Sequence, residues 1–114
     1  LIYNDIEGVT TMAHSRIAES ADVRFRPLEI SGSGGHTELK VSGLIFHSAV
    51  VANAIRVVDE GSATRVLVEM AVARPEKSGS FAVNIPLPRH LEKVTFGLAG
   101  TEIWSRQQHL ISGT

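Results

Sequence analysis

The 114 residues suffice for one domain and are too few for two independent cores. Eleven Lys and Arg nearly cancel twelve Asp and Glu, for a formal charge of -1, so no strong field draws in nucleic acid or anionic lipid. At 43% hydrophobic residues the chain should fold around a core, and having no cysteine it must do so without disulfides, thiolate metal sites or cysteine nucleophiles.

In chain order, residues 1–20 mix polar and apolar positions without a sustained period. They are expected to form an irregular N-terminal arm, with room for a short edge strand or helical turn between Thr11 and Ile17. A start at Leu1 rather than Met suits a mature chain after signal cleavage or a shortened one, and the absence of a visible signal then decides nothing. From Asp22, Val23 and Phe25 alternate with Arg24 and Arg26 in a half-buried strand running to about Ile30, which Pro27 confines to an edge or interrupts. Ser31 to Gly35 reads as a flexible connection; it lacks both the Lys-Ser/Thr of a phosphate loop and a helix behind it.

Between Thr37 and Phe46, Leu39 and Val41 and then Leu44 and Phe46 alternate with polar or small neighbours. The phase changes near Ser42 and Gly43, which predicts a bulge or bend in one long strand, or two strands. In His47 to Val58, Val50, Val51, Ala54, Ile55 and Val58 have helical spacing, but the β-branched Val51, Ile55 and Val57 share a strand parity, and a strand is preferred. Asp59 to Ser62 has turn chemistry. Val66, Val68, Met70 and Val72 then line one face of the clearest strand, with Arg65 and Glu69 on the other. Pro75 to Gly79 turns the chain into the alternation of Phe81, Val83, Ile85 and Leu87, closed by Pro86 and Pro88. Val94, Phe96 and Leu98 make a further strand, Ala99-Gly100 a turn, and Glu102 to Arg106 a last strand carrying Trp104; residues 107–114 are expected to be a flexible tail.

About seven strands spaced roughly ten residues apart predict an all-β domain over residues 21–106, an immunoglobulin-like β-sandwich, with a small β-barrel as the alternative. The richest apolar stretch, Leu44 to Val58, is broken by His47, Asn53 and Arg56 and falls short of the roughly 20 residues of a membrane span.

Chemical signatures are sparse. The five histidines include no i, i+2 pair and no His-x-x-x-His, so surface imidazoles are expected rather than a metal site. There is no Gly-x-Ser-x-Gly elbow, and Asp59-Glu60 lies in a turn where solvated acids have little reason to acquire a raised pKa. Glu69 and Glu102, placed mid-strand, call for water or a cation such as Arg24, Arg26, Arg65 or Arg106, as a cross-strand ion pair. Phe25, Phe46, Phe81 and Phe96 are expected in the core with Trp104. Because Ile103 and Trp104 alternate, one of them should meet something other than the main core.

The segments Ser80-Phe81-Ala82-Val83-Asn84-Ile85-Pro86, Val94-Thr95-Phe96-Gly97 and Ile103-Trp104-Ser105-Arg106 resemble the closing strands of small, exported bacterial β-sandwich proteins of unknown function. The resemblance covers the last third of the chain. It implies a sandwich and a periplasmic or secreted location, with the cytoplasm as the alternative, and no particular activity. No catalytic residue, metal or cofactor is expected. The function expected is non-enzymatic binding of another protein, through a sheet face or by strand addition at an edge, with Arg24, Arg26, Arg65 and Trp104 as candidate contact residues. The alternative is a small-ligand carrier or enzyme using a loop pocket such as Ser31 to His36 or Pro75 to Gly79.

Overall fold

The computed structural model describes residues 15–33 and 36–106. The chain there is mostly strand with almost no helix: β1 (Ser15–Ile17), a 3-10 turn (Ser20–Asp22), β2 (Val23–Phe25), β3 (Glu29–Ser33), β4 (His36–Ile45), β5 (Val50–Asp59), β6 (Ala63–Val72), β7 (Ser80–Pro86), β8 (Lys93–Phe96) and β9 (Thr101–Ser105). Two sheets pack face to face as a sandwich and do not close into a barrel. The segment from His47 onward that could have been helix is strand from Val50 to Asp59.

In the first sheet β6 is central. β5 runs antiparallel along one edge, while the other edge is shared end to end by β1, opposite Glu69 to Ala71, and by β8, parallel to Ala63 to Val66; β9 follows β8. In the second sheet β4 is central, with β7 on one side and β3 and β2 end to end on the other. The strand expected over Asp22 to Ile30 is thus two short pieces of one edge. Pro27 has no N–H to give the ladder, so pairing stops after the Arg26 N–H donates to the Ser42 carbonyl and resumes at Glu29. The flexible connection expected over Ser31 to Gly35 is mostly strand, since Ser31, Gly32 and Ser33 pair with Glu38, Thr37 and His36. Residues 34–35 lie outside the described residues, as do most of the arm and the tail at 107–114; the arm's described end contributes β1 and the fully buried Ala18.

The core forms where the inward rows meet. Val66, Val68 and Met70 of β6 with Val94 and Phe96 of β8 face Leu39, Val41 and Ile45 of β4 with Phe81 and Ile85 of β7. Phe96 stands edge-on to Phe25 at 5.0 Å and stacks on Phe81 at 6.0 Å, tying the sheets through three rings. Such pairs add roughly 0.5–1.5 kcal/mol to the burial term. Trp104 is 7% exposed and belongs to this core. A register shift between Val94 and Thr95 leaves Ile103 as an extra residue in β9, so Ile103 packs against the same core and needs no second apolar layer.

The phase change at Ser42-Gly43 is not a break. β4 stays in register with β7 from Glu38 to Leu44, and Leu39, Val41, Gly43 and Ile45 keep one inward parity. Gly43 holds an inward slot without a side chain because the paired strand β2 presses close against it: a Cβ there would lie 2.8 Å from Val23 Cγ1 and 2.9 Å from the Arg24 carbonyl oxygen. Leu44 and Phe46 therefore point outward, and the expectation that all four phenylalanines are core fails at Phe46, which is 47% exposed.

Candidate functional site

The outer face of the second sheet follows from the outward parity of β4. Register sets Arg24 and Ser80 on either side of Leu44, Ala82 beside Ser42, and Glu29 and Asn84 on either side of Lys40. At one end the face is apolar. Phe46 continues past Leu44, 40% exposed, and the Arg24 guanidinium lies 5.6 Å from the Phe46 ring centroid. A guanidinium on an aromatic face is worth about 0.5–1 kcal/mol in an exposed setting, enough to orient the ring without covering it. Toward the middle, small Ser42 and Ala82 form a floor and long Arg26, Lys40 and Glu29 a rim, leaving a shallow basin of about 460 Å3 that also touches Ser80. Neither Arg26 nor Lys40 has an ion-pair partner among the described residues.

His47 borders this face and is anchored. Its Nε2 lies 2.8 Å from Asp22 Oδ1, and its ring sits 4.9 Å from that of Phe46. The Glu19 N–H donates to the other Asp22 oxygen at 2.9 Å. That backbone bond, followed by the bond to His47, holds the Asp22 carboxyl below its usual range, burial opposing weakly. The pair joins residues 25 apart in sequence, and the His47-Ser48 dipeptide offers no hint of it.

The four candidate contact residues do not converge. Arg24 and Arg26 share the outer face just described. Arg65 lies on the other sheet and is occupied: its Nε donates to Glu60 at 3.0 Å, and Nη1 donates to the carbonyls of Gly97 at 3.0 Å and Leu98 at 2.7 Å. Opposite it, the Glu19 carboxylate accepts the N–H groups of Leu98 at 3.0 Å and Ala99 at 3.2 Å. The turn between β8 and β9 is thus gripped by an arginine on its carbonyls and a glutamate on its N–H groups, and Leu98 at its tip is 63% exposed. Trp104 is inside the core, with an indole N–H that finds no acceptor among the described residues and Arg106 over its ring at 5.4 Å. The cross-strand ion pair imagined for Glu69 is instead a hydrogen bond from Asn53 Nδ2 at 2.8 Å.

The sheet edges are poor templates for strand addition. β5, the longest, has a register shift at Asn53, whose side chain bonds Glu69 and Arg74 and whose carbonyl accepts Lys77 at 3.1 Å; Ala52 is already bonded to Ser78. The β2/β3 edge is broken at Pro27, β7 ends in Pro86, and β9 is five residues long with an extra residue inside it. Bulges, prolines, lysines and short edges are the ordinary means of keeping a sheet from recruiting another strand.

At the open end of the sandwich, β5, the start of β6 and the segment after β7 enclose a second, narrower cleft of about 240 Å3. No three His, Cys, Asp or Glu among the described residues group as metal ligands, and no described helix is long and apolar enough to cross a membrane. Comparison with protein-family models, curated proteins and solved structures finds no match to this chain.

Proposed function

We propose that the chain is an immunoglobulin-like, non-enzymatic binding domain of an exported bacterial protein, which holds another protein on the outer face of its second sheet. The observation that carries the reading is the outward row of Leu44 and Phe46, with Arg24 resting on the ring, on a face whose neighbouring positions are small or polar. Large apolar side chains exposed together cost solubility and mark contact surfaces. Aromatic and arginine side chains are the commonest anchors of such contacts. The blunted edges favour the face over strand addition as the route. The complementary partner surface has an apolar side chain for the Phe46 end and a carboxylate for Arg26 and Lys40. The exported location rests on the resemblance of the closing strands.

Photo-crosslinking in the native cell tests this. A benzophenone side chain at position 46 should trap one defined polypeptide, and Arg24→Glu should weaken the adduct, whereas the same probe at Ala54, on the opposite sheet, should trap nothing. Equal labelling from positions 46 and 54, or none from 46, would refute the assignment.

A further inference from the structure

We infer that the cleft at the open end of the sandwich is a preformed site for a small organic ammonium compound with a compact apolar body. Its walls are apolar: Val57 of β5, Pro86 at the end of β7, and Pro88 and Leu91 beyond it. Its polar groups are few and of complementary kinds. Thr64 is 9% exposed, and its hydroxyl has no hydrogen-bond partner among the described residues. Asp59 uses Oδ1 to accept the Gly61 N–H at 2.9 Å and has no cationic partner among the described residues. The third polar residue is His90. The cleft is open to solvent on one side, with Val57, Asp59, Pro86, Pro88 and His90 exposed and Thr64 and Leu91 buried at its base. A concave apolar surface carrying a few polar groups is the general form of a small-molecule site. Here the charged member is a lone carboxylate, so the ligand it favours is a cation that can also donate hydrogen bonds.

The cleft is held open by bonds that a simple loop would not need. The Arg106 side chain, lying over Trp104, donates to the carbonyls of Leu91 at 2.8 Å and Pro88 at 2.9 Å. The Ser62 carbonyl accepts the N–H groups of Glu92 and Lys93 from the segment after β7, and the Leu87 N–H donates to the Thr37 carbonyl of β4, extending the β4/β7 ladder of the second sheet. A wall fixed in this way has already lost the conformational freedom that a ligand would otherwise have to remove. The volume of about 240 Å3 exceeds the roughly 150 Å3 that accommodates benzene in an engineered cavity, so one six-membered ring bearing an ammonium group fits. This site faces away from the proposed protein contact and stands or falls independently of it.

Amide chemical shifts of the 15N-labelled protein, titrated with cyclohexylammonium, cyclohexanol and cyclohexanecarboxylate, test the inference. The ammonium compound should saturate and move the amides of Thr64, His90 and Leu91, with the alcohol weaker and the carboxylate inert. Asp59→Asn, which keeps an acceptor for Gly61, should weaken the ammonium compound roughly 10-fold, as should Thr64→Val to a smaller degree, both with the remaining spectrum unchanged. Equal binding of all three compounds, no saturable shift with the ammonium compound, or an affinity untouched by Asp59→Asn would overturn it.

Discussion

Two phenylalanines that look alike in the sequence should behave very differently when removed. Phe96 is fully buried between Phe25 and Phe81, so Phe96→Ala deletes the centre of the three-ring contact and leaves a cavity between the sheets, at a cost of about 3–5 kcal/mol. Phe46 is 47% exposed and touches Arg24 and His47, so Phe46→Ala forfeits only about half a side chain's transfer energy and one exposed cation–aromatic contact, about 1.3–2.5 kcal/mol. The gap of about 2 kcal/mol between the centres of these ranges should appear as a Tm difference of roughly 8 °C between the variants. It should also appear as a lower urea midpoint for Phe96→Ala at unchanged slope. Failure of Phe96→Ala to fold would agree, because such a loss approaches the whole stability of a small domain. A Phe46→Ala variant as damaged as Phe96→Ala would refute the outward placement of Phe46, and the proposed contact face with it.

The Asp22 carboxyl is held below its ordinary range, so its bonds stabilise the fold above its unfolded pKa, and this contribution is lost as pH falls through the folded value. Asp22→Asn should therefore be less stable than the parent at pH 7, with the difference shrinking below about pH 4 in denaturant titrations at a series of pH values; a constant difference would contradict the assignment. Gly61 and Gly97 both have positive φ, +84° and +80°, but a Cβ at Gly61 meets open space and one at Gly97 meets the Glu19 carboxylate and, at 3.0 Å, the Ala18 carbonyl oxygen. Gly61→Ala should cost about 1–2 kcal/mol and Gly97→Ala about 3, and replacing Glu19 with Ala should lower the second penalty toward the first in a double-mutant cycle, the close Ala18 carbonyl keeping it above.

Strands β4 to β9 were legible in the sequence wherever one face is buried and the other wet, because alternation then maps directly onto burial; Val66, Val68 and Met70 show this best. Legibility failed at Gly43, where the inward slot is taken by Val23 and the backbone of the paired strand β2 rather than by a side chain of β4. Two apolar residues of the outward row then look like a shifted core. The site was only half visible. Arg24 and Arg26 do share a face, but the grip of Arg65 and Glu19 on the Gly97–Gly100 turn joins residues 32 to 80 apart in sequence, and local pattern carries no trace of such contacts. Trp104 has the size of a core residue, yet its alternation with Ile103 fits a surface contact equally well. The extra residue in β9 that turns both it and Ile103 inward depends on pairing with β8, which spacing alone does not reveal.

The most direct test is proton relaxation of the free protein in a soluble, uncharged gadolinium chelate. Strong enhancement of the Phe46 ring and Leu44 methyl signals, with Ile45, Phe81 and Phe96 protected, is what an uncovered apolar face requires. Protection of Phe46 equal to that of Phe96 would mean that the face is closed, and would contradict the account.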